Sequence, residues 1–209
     1  MFLIDFILHI DVHLGQIISS YGTLTYGILF LIIFMETGLV FTPFLPGDSL
    51  LFAAGAFAAL GSLNITVLLA ILYAAAIIGD NTNYWIGYFF GKGIVAHPKI
   101  PVDEKHIAQA QEFFNKHGGK TIIIARFMPF FRTFTPFVSG ISRMKYSKFL
   151  AYDIAGGLIW VSTATVAGYF FGNIEFVRHN FSLVIIGVVL ISVLPMIIEL
   201  LKHKFFKKQ

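Results

Sequence analysis

Two apolar segments, residues 22–63 and 119–144, carry prolines and charged side chains in their middles, and that combination leaves few folds open. Glu36, Pro43, Pro46, Gly47 and Asp48 interrupt the first; Arg126, Pro129, Arg132, Pro136 and Gly140 interrupt the second. Proline removes a backbone donor and breaks the helical ladder. In a bilayer, broken backbone survives only where protein or a water-filled cavity satisfies it. Neither segment reads as a plain span, and neither is polar enough for an aqueous loop. Both read as re-entrant hairpins.

Composition makes the bilayer the solvent. Of 209 residues, 57% are hydrophobic and 12% charged, against roughly 45–50% and 25% in soluble domains. Apolar stretches at 65–91 and 149–172 are expected to span the membrane. A third, at 183–201, contains Pro195 and ends in Glu199 before the basic tail 202–209, a stop-transfer pattern. The N-terminal stretch lacks a basic leader and carries Asp5 and Asp11, so an amphipathic interfacial helix is expected rather than a cleaved signal peptide. The fold class is all-α integral membrane protein, with residues 1–209 as a single membrane domain.

The chain repeats itself. Phe34-Met35, then Phe-Thr-Pro-Phe-Leu-Pro-Gly at 41–47, returns 93 residues later as Phe127-Met128 and Phe-Thr-Pro-Phe-Val-Ser-Gly at 134–140. Shared Thr-Pro and Gly in one ungapped frame are hard to obtain by chance. Gly-Tyr-Phe-Phe-Gly also occurs twice, at 87–91 and 168–172. Repeat one covers about 1–91, with hairpin 22–63 and span 65–91. Repeat two covers about 103–172, with hairpin 119–144 and span 149–172.

Orientation follows from charge. No Lys or Arg precedes Lys92, and twelve of the fifteen lie in 92–120, 143–148 and 202–208. By the positive-inside rule these segments, and with them the C-terminus, are expected to be cytoplasmic. The first pentapeptide then ends inside and the second outside, so the repeats are inverted. Inverted repeats with broken helices at the midplane are the layout of secondary transporters.

Six charged residues sit in apolar surroundings: Glu36, Asp48, Asp80, Arg126, Arg132 and Asp153. Each costs about 2.5–3.5 kcal/mol at a membrane-helix centre, so the four hairpin charges together cost on the order of 10 kcal/mol unless paired or wetted. Two acids on one hairpin and two arginines on the other suggest a neutral pairing. A purely structural ion-pair cluster would meet that need; a transport site would meet it and use it. Two planar forks, Arg126 and Arg132, suit a phosphate oxyanion, and Glu36 and Asp48 would be counter-ions or proton-exchanging groups. Asp80, Asn83 and Tyr84 share a helical face and are expected either to line the cavity or to act as packing glue. Asp153, beside Gly156 and Gly157, has the same two readings. Trp85 and Trp160 read as packing or interfacial anchors.

Other chemistries find no support. There is no cysteine, the seven histidines lie in interfacial or loop segments, and no metal site, catalytic constellation, nucleotide loop or nucleic-acid motif is expected. The reading is therefore a non-enzymatic transporter without cofactors, driven by an ion or substrate gradient.

Glu36 with Pro43-x-x-Pro46-Gly47-Asp48, Gly79-Asp80 with Tyr84 and Gly87, Arg126-Phe-x-Pro129-x-x-Arg132-x-x-x-Pro136 with Gly140 and Arg143-Met144, and Gly156-Gly157 with Trp160 together resemble the DedA family of the VTT-domain superfamily. The resemblance covers about residues 20–175 and implies two inverted re-entrant hairpins plus transmembrane helices in a bacterial cytoplasmic membrane. It implies return of undecaprenyl phosphate or phospholipid across that membrane with dependence on proton motive force; eukaryotic relatives scramble phospholipids. It assigns the functional acids to Glu36 and Asp48 and the arginines to Arg126 and Arg132. Two departures are visible: Asp153 stands where Asn is common, and Ser139 where Ala is usual. The expected partners are a phosphate-bearing lipid and protons, with a homo-oligomer allowed. The alternative expectation is a proton-coupled transporter of a small ion or solute; a third is a membrane assembly factor whose charges only lock the hairpins.

Overall fold

The computed structural model describes residues 10–39, 47–95 and 118–172, with single positions 174, 175, 184 and 187 beyond them. The expected span 183–201, the basic tail, most of the lysine-rich loop 92–120, and Pro43 and Pro46 lie outside the described residues. Within them the chain is helical and contains no strand. The helices are α1 (Ile10–Tyr21), α2 (Leu24–Gly38), α3 (Gly47–Ala59), α4 (Ile65–Val95), α5 (Lys120–Ala125), α6 (Pro129–Ile141) and α7 (Tyr146–Phe171).

Two helices are long and apolar enough to cross a bilayer, Ile65–Gly91 and Tyr146–Phe171. At 1.5 Å per residue each reaches about 40 Å, more than the roughly 30 Å of hydrocarbon. Their outward faces carry Val67, Ile78, Trp85, Phe89, Phe90, Leu158, Ile159, Phe170 and Phe171, all substantially exposed. Large apolar side chains exposed in this number suit a lipid solvent. The first begins at Ile65 because Asn64 caps it: the side-chain Oδ1 accepts from the backbone N–H of Thr66 at 3.0 Å and of Val67 at 3.1 Å, satisfying two of the donors a helix start leaves open.

The chain divides into two compact units. The first comprises Met1–Leu31, Pro46–Leu72 and Val161–Gln209. Here α1 lies along α3, and Gly22, at φ +51°, ends α1 in the left-handed conformation that glycine adopts without penalty. The Asn64 backbone N–H donates to the Tyr26 hydroxyl at 2.7 Å. Gly168 and Gly172 of α7 press on the backbone of α3. A Cβ at Gly168 would lie 2.7 Å from the Phe52 carbonyl carbon, and one at Gly172 would lie 2.6 Å from Ala56 Cα.

The second unit comprises Ile32–Leu45 and Tyr73–Trp160. Here the first copy of the same pentapeptide does the same work, on α6. A Cβ at Gly87 would lie 2.9 Å from the Phe137 carbonyl carbon, and one at Gly91 would lie 2.9 Å from Ile141 Cδ1. Tyr84 stacks on Phe149 with centroids 4.4 Å apart, and its hydroxyl donates to the Met144 carbonyl at 2.5 Å. The α6 helix closes with the paired bonds of a Schellman turn, Met144 N–H to Ser139 O and Arg143 N–H to Gly140 O, both 3.0 Å. Arg143 takes the left-handed position at φ 56°, with its guanidinium 4.1 Å from the Tyr88 ring centroid.

The second apolar segment is broken, but not wherever a proline stands. In the second, the break falls at 126–128: Met128 is extended, as a residue before proline prefers, and Pro129 opens α6, where its missing N–H costs nothing. Pro136 and Gly140, expected to break the hairpin, lie inside α6 instead. The heptapeptide copy at 134–140 is therefore helical. Gly140 serves close approach, since a Cβ there would lie 2.7 Å from the Tyr88 backbone nitrogen. Gly47 opens α3.

If the pentapeptide glycines set the helix spacing, Gly168→Leu lowers thermal stability in detergent by about 1–3 kcal/mol, the range for overpacking. Phe170→Leu, at a position 69% exposed, leaves it unchanged. Equal midpoints for the two variants would refute the assignment.

Candidate functional site

The second unit gathers the charges that an apolar interior should exclude. Glu36 lies near the C-terminal end of α2 and is fully buried; Arg132, on the second turn of α6, is 3% exposed. Arg132 Nη2 donates to Glu36 Oε1 at 2.6 Å, and its guanidinium carbon sits 4.7 Å from the Trp160 ring centroid. Carboxylate and aromatic ring together fix the plane and position of the fork. Asn83 sets the register between the two helices that bring this pair. Its Nδ2 donates to the Thr37 carbonyl on α2 at 3.2 Å and to the Thr133 carbonyl on α6 at 2.7 Å. The close approach of α2 to α4 depends on glycines: a Cβ at Gly38 would lie 3.3 Å from Gly79 Cα.

Arg126 sits at the break itself, capping the end of α5. Its side chain is 1% exposed, and Nη2 bonds Asp80 Oδ2 on α4 at 2.5 Å. The same nitrogen bonds Asp153 Oδ1 on α7. Gly156 leaves room for the guanidinium arm, since a Cβ there would lie 3.0 Å from Arg126 Cδ and 3.1 Å from Nε. A further layer holds the acids in place. Asn81 Nδ2 donates to Asp153 Oδ2 at 3.0 Å and to the Ile77 carbonyl at 2.7 Å, and the Tyr146 hydroxyl donates to Asn81 Oδ1 at 2.7 Å.

The grip on Arg126 uses one nitrogen. Its Nε and Nη1 are buried without a hydrogen-bond partner among the described residues, as are Asp80 Oδ1, Asn83 Oδ1 and Thr133 Oγ1. Buried polar atoms are normally satisfied. A guanidinium held through one corner keeps further buried donors of the fork that carboxylates and phosphates fit.

The expected pairing of hairpin acids with hairpin arginines therefore holds for Glu36 and Arg132, while Arg126 draws its acids from the two long helices. Of the three residues expected on one cavity face, Asp80 joins Arg126 and Asn83 ties two backbones together. Tyr84 takes the packing alternative: it lies in a core with Ile122 and Phe149. Asp48 stands half-buried in the first turn of α3, in the first unit, where an acid complements the helix dipole. Sequence reasoning left the roles of Asp153, Gly156 and Trp160 undecided. The available signal was an ionisable residue three positions before a glycine in a helix otherwise apolar.

Comparison with known proteins places this arrangement. The VTT domain family matches residues 45–170. Protein DedA of Escherichia coli K12 is 52% identical over 97% of this chain and 94% of its own length. The chain belongs to the DedA family of bacterial membrane proteins. Uncharacterized membrane protein ML0287 of Mycobacterium leprae is 45% identical over 80% of this chain and 75% of its own. Inner membrane protein YghB of E. coli K12 is 35% identical over 84% and 78%. No solved structure matches the chain. The family match spans Asp80, Arg126, Arg132 and Asp153, and Glu36 precedes it.

Removing one member of a buried ion pair strands the other. Glu36→Leu is expected to destabilise the fold by about 3–5 kcal/mol, and Glu36→Leu with Arg132→Met to recover most of that loss. Thermal unfolding in detergent measures both; a double variant no more stable than the single one would show that the pair is not an isolated electrostatic unit.

Proposed function

We propose that this DedA-family chain is a lipid transporter of the bacterial inner membrane. It moves a phosphate-bearing lipid, such as undecaprenyl phosphate or a phospholipid, between leaflets, with the step coupled to proton motive force. In this reading the headgroup phosphate binds Arg126 and Arg132 while the prenyl or acyl tail stays in the hydrocarbon. Glu36 is the counter-ion of Arg132 when no substrate is bound, and Glu36 or Asp48 exchanges the proton. The two broken apolar segments are re-entrant hairpins of an inverted repeat, which is how non-helical backbone is tolerated at membrane depth.

The observation that carries the reading is the half-used guanidinium of Arg126, buried with Nε and Nη1 unpartnered among the described residues in a chain whose long helices present apolar faces. A second buried arginine in the same unit, oriented by Glu36 and Trp160, supplies further positive charge. Two forks rather than two ammonium groups suit a tetrahedral oxyanion, because each presents paired donors in one plane.

Reconstitution into liposomes with fluorescent undecaprenyl phosphate and, separately, phosphatidylethanolamine tests the function. Translocation of at least one is expected, faster with a proton gradient. Arg132→Lys, which keeps the charge and loses the fork, is expected to slow it about tenfold or more, roughly 1.4 kcal/mol of barrier per tenfold. Full activity in that variant would remove the oxyanion argument. Movement of neither lipid, with proton flux driven by a soluble ion, would favour the small-solute transporter.

A further inference from the structure

Around Arg126 the charges do not balance. One guanidinium nitrogen meets two carboxylates, Asp80 from α4 and Asp153 from α7, all at 1% side-chain exposure or less. Because both bond the same nitrogen, the two carboxyl groups lie side by side on it. With both acids ionised, the cluster would hold one uncompensated negative charge out of contact with water. Such a charge is costly in a membrane interior, and protonation is the ordinary way to remove it. Two carboxylates sharing one site cannot both ionise easily.

We propose that Asp80 and Asp153 share a single proton against Arg126, making this pair a proton-binding site of the chain, separate from the Glu36–Arg132 pair. The proposal deepens the transport reading by adding a proton store at the phosphate-binding arginine itself. The surroundings are consistent with one proton. From α6 the Arg132 charge also reaches Asp80, but Arg132 is engaged by Glu36 of α2. Asn81 of α4 is neutral and donates to Asp153 Oδ2. Tyr146 reaches the pair only through Asn81. No other charged group bonds Asp80 or Asp153 among the described residues.

The site links proton to anion. An oxyanion arriving at Arg126 Nε and Nη1 adds negative charge to a group already rich in it, so the protonated pair binds the anion better than the ionised pair. The proton comes from water, forms an O–H bond on one carboxylate oxygen, and returns to water when the pair ionises. By reciprocity, anion binding strengthens the hold on the proton. Because the two acids titrate together, the proton belongs to the pair rather than to either residue.

Infrared spectroscopy of the full chain in phosphatidylcholine nanodiscs at neutral pH tests this. A protonated-carboxyl stretch is expected in the wild type, shifted when the protein carries isotope-labelled aspartate, unshifted by isotope-labelled glutamate, and lost in Asp80→Asn and in Asp153→Asn. Either substitution leaves one acid facing one arginine, a pair that ionises. Absence of the band in the wild type overturns the proposal, as does a band that ignores the aspartate label or follows the glutamate label. The wild-type label experiment stands even where an aspartate variant fails to fold. The measurement involves no lipid transport: a chain that holds the proton but moves no phosphate lipid would overturn the transport reading alone, and one that moves lipid without the band would overturn only the shared proton.

Discussion

A buried guanidinium cannot shed its charge, so the structure around Arg126 has to be built to accept it. That requirement reaches across the second unit. It brings an aspartate from each of the two long helices to a single nitrogen, and it places glycine at position 156, where any larger side chain would meet the arginine arm. It also recruits Asn81 and Tyr146 to hold the second acid in position. The break between α5 and α6 belongs to the same arrangement: Arg126 caps the shorter helix, and Pro129 starts the longer one that carries Arg132. Two charges six residues apart are thus delivered from two helices rather than from one continuous face. Each meets its own acids.

Packing between helices obeys a simpler rule in both units. The glycines of the repeated pentapeptide press α4 on α6 in one unit and α7 on α3 in the other. Small residues allow backbones this close, and in a bilayer close van der Waals contact is a main source of helix association because lipid is as apolar as the side chains. The same sequence element is used twice for the same physical purpose. That equivalence gives the internal repeat a structural meaning independent of how the helices cross the membrane.

The helical class, the two long spans, the break before Pro129 and five of the six charges expected in apolar surroundings were legible in the residues. Each rests on a local property: hydropathy over twenty positions, a proline's missing donor, or the cost of ionisation in an apolar run. Pro136 shows where local reasoning stops. It has the same missing donor as Pro129, yet it sits inside α6, because buried packing against α4 holds the helix through it. Tyr84 shares a helical face with Asp80, as spacing indicated, but Phe149 and Met144 enclose it in a core.

What the sequence alone determined is a membrane protein with an internal repeat, four charges in broken apolar segments, and two arginines suited to a phosphate. These follow from composition, periodicity and side-chain chemistry, which are fixed before folding. Only the tertiary structure decided which acid meets which arginine. Arg126 pairs with Asp80 and Asp153, 46 and 27 positions away in the chain, rather than with a hairpin acid, and Glu36 meets Arg132 across 96. Spacing along a helix says which residues share a face; it does not say which helix that face will meet. That choice was made by glycine contacts and the Asn83 clamp, interactions that exist only once the helices are side by side.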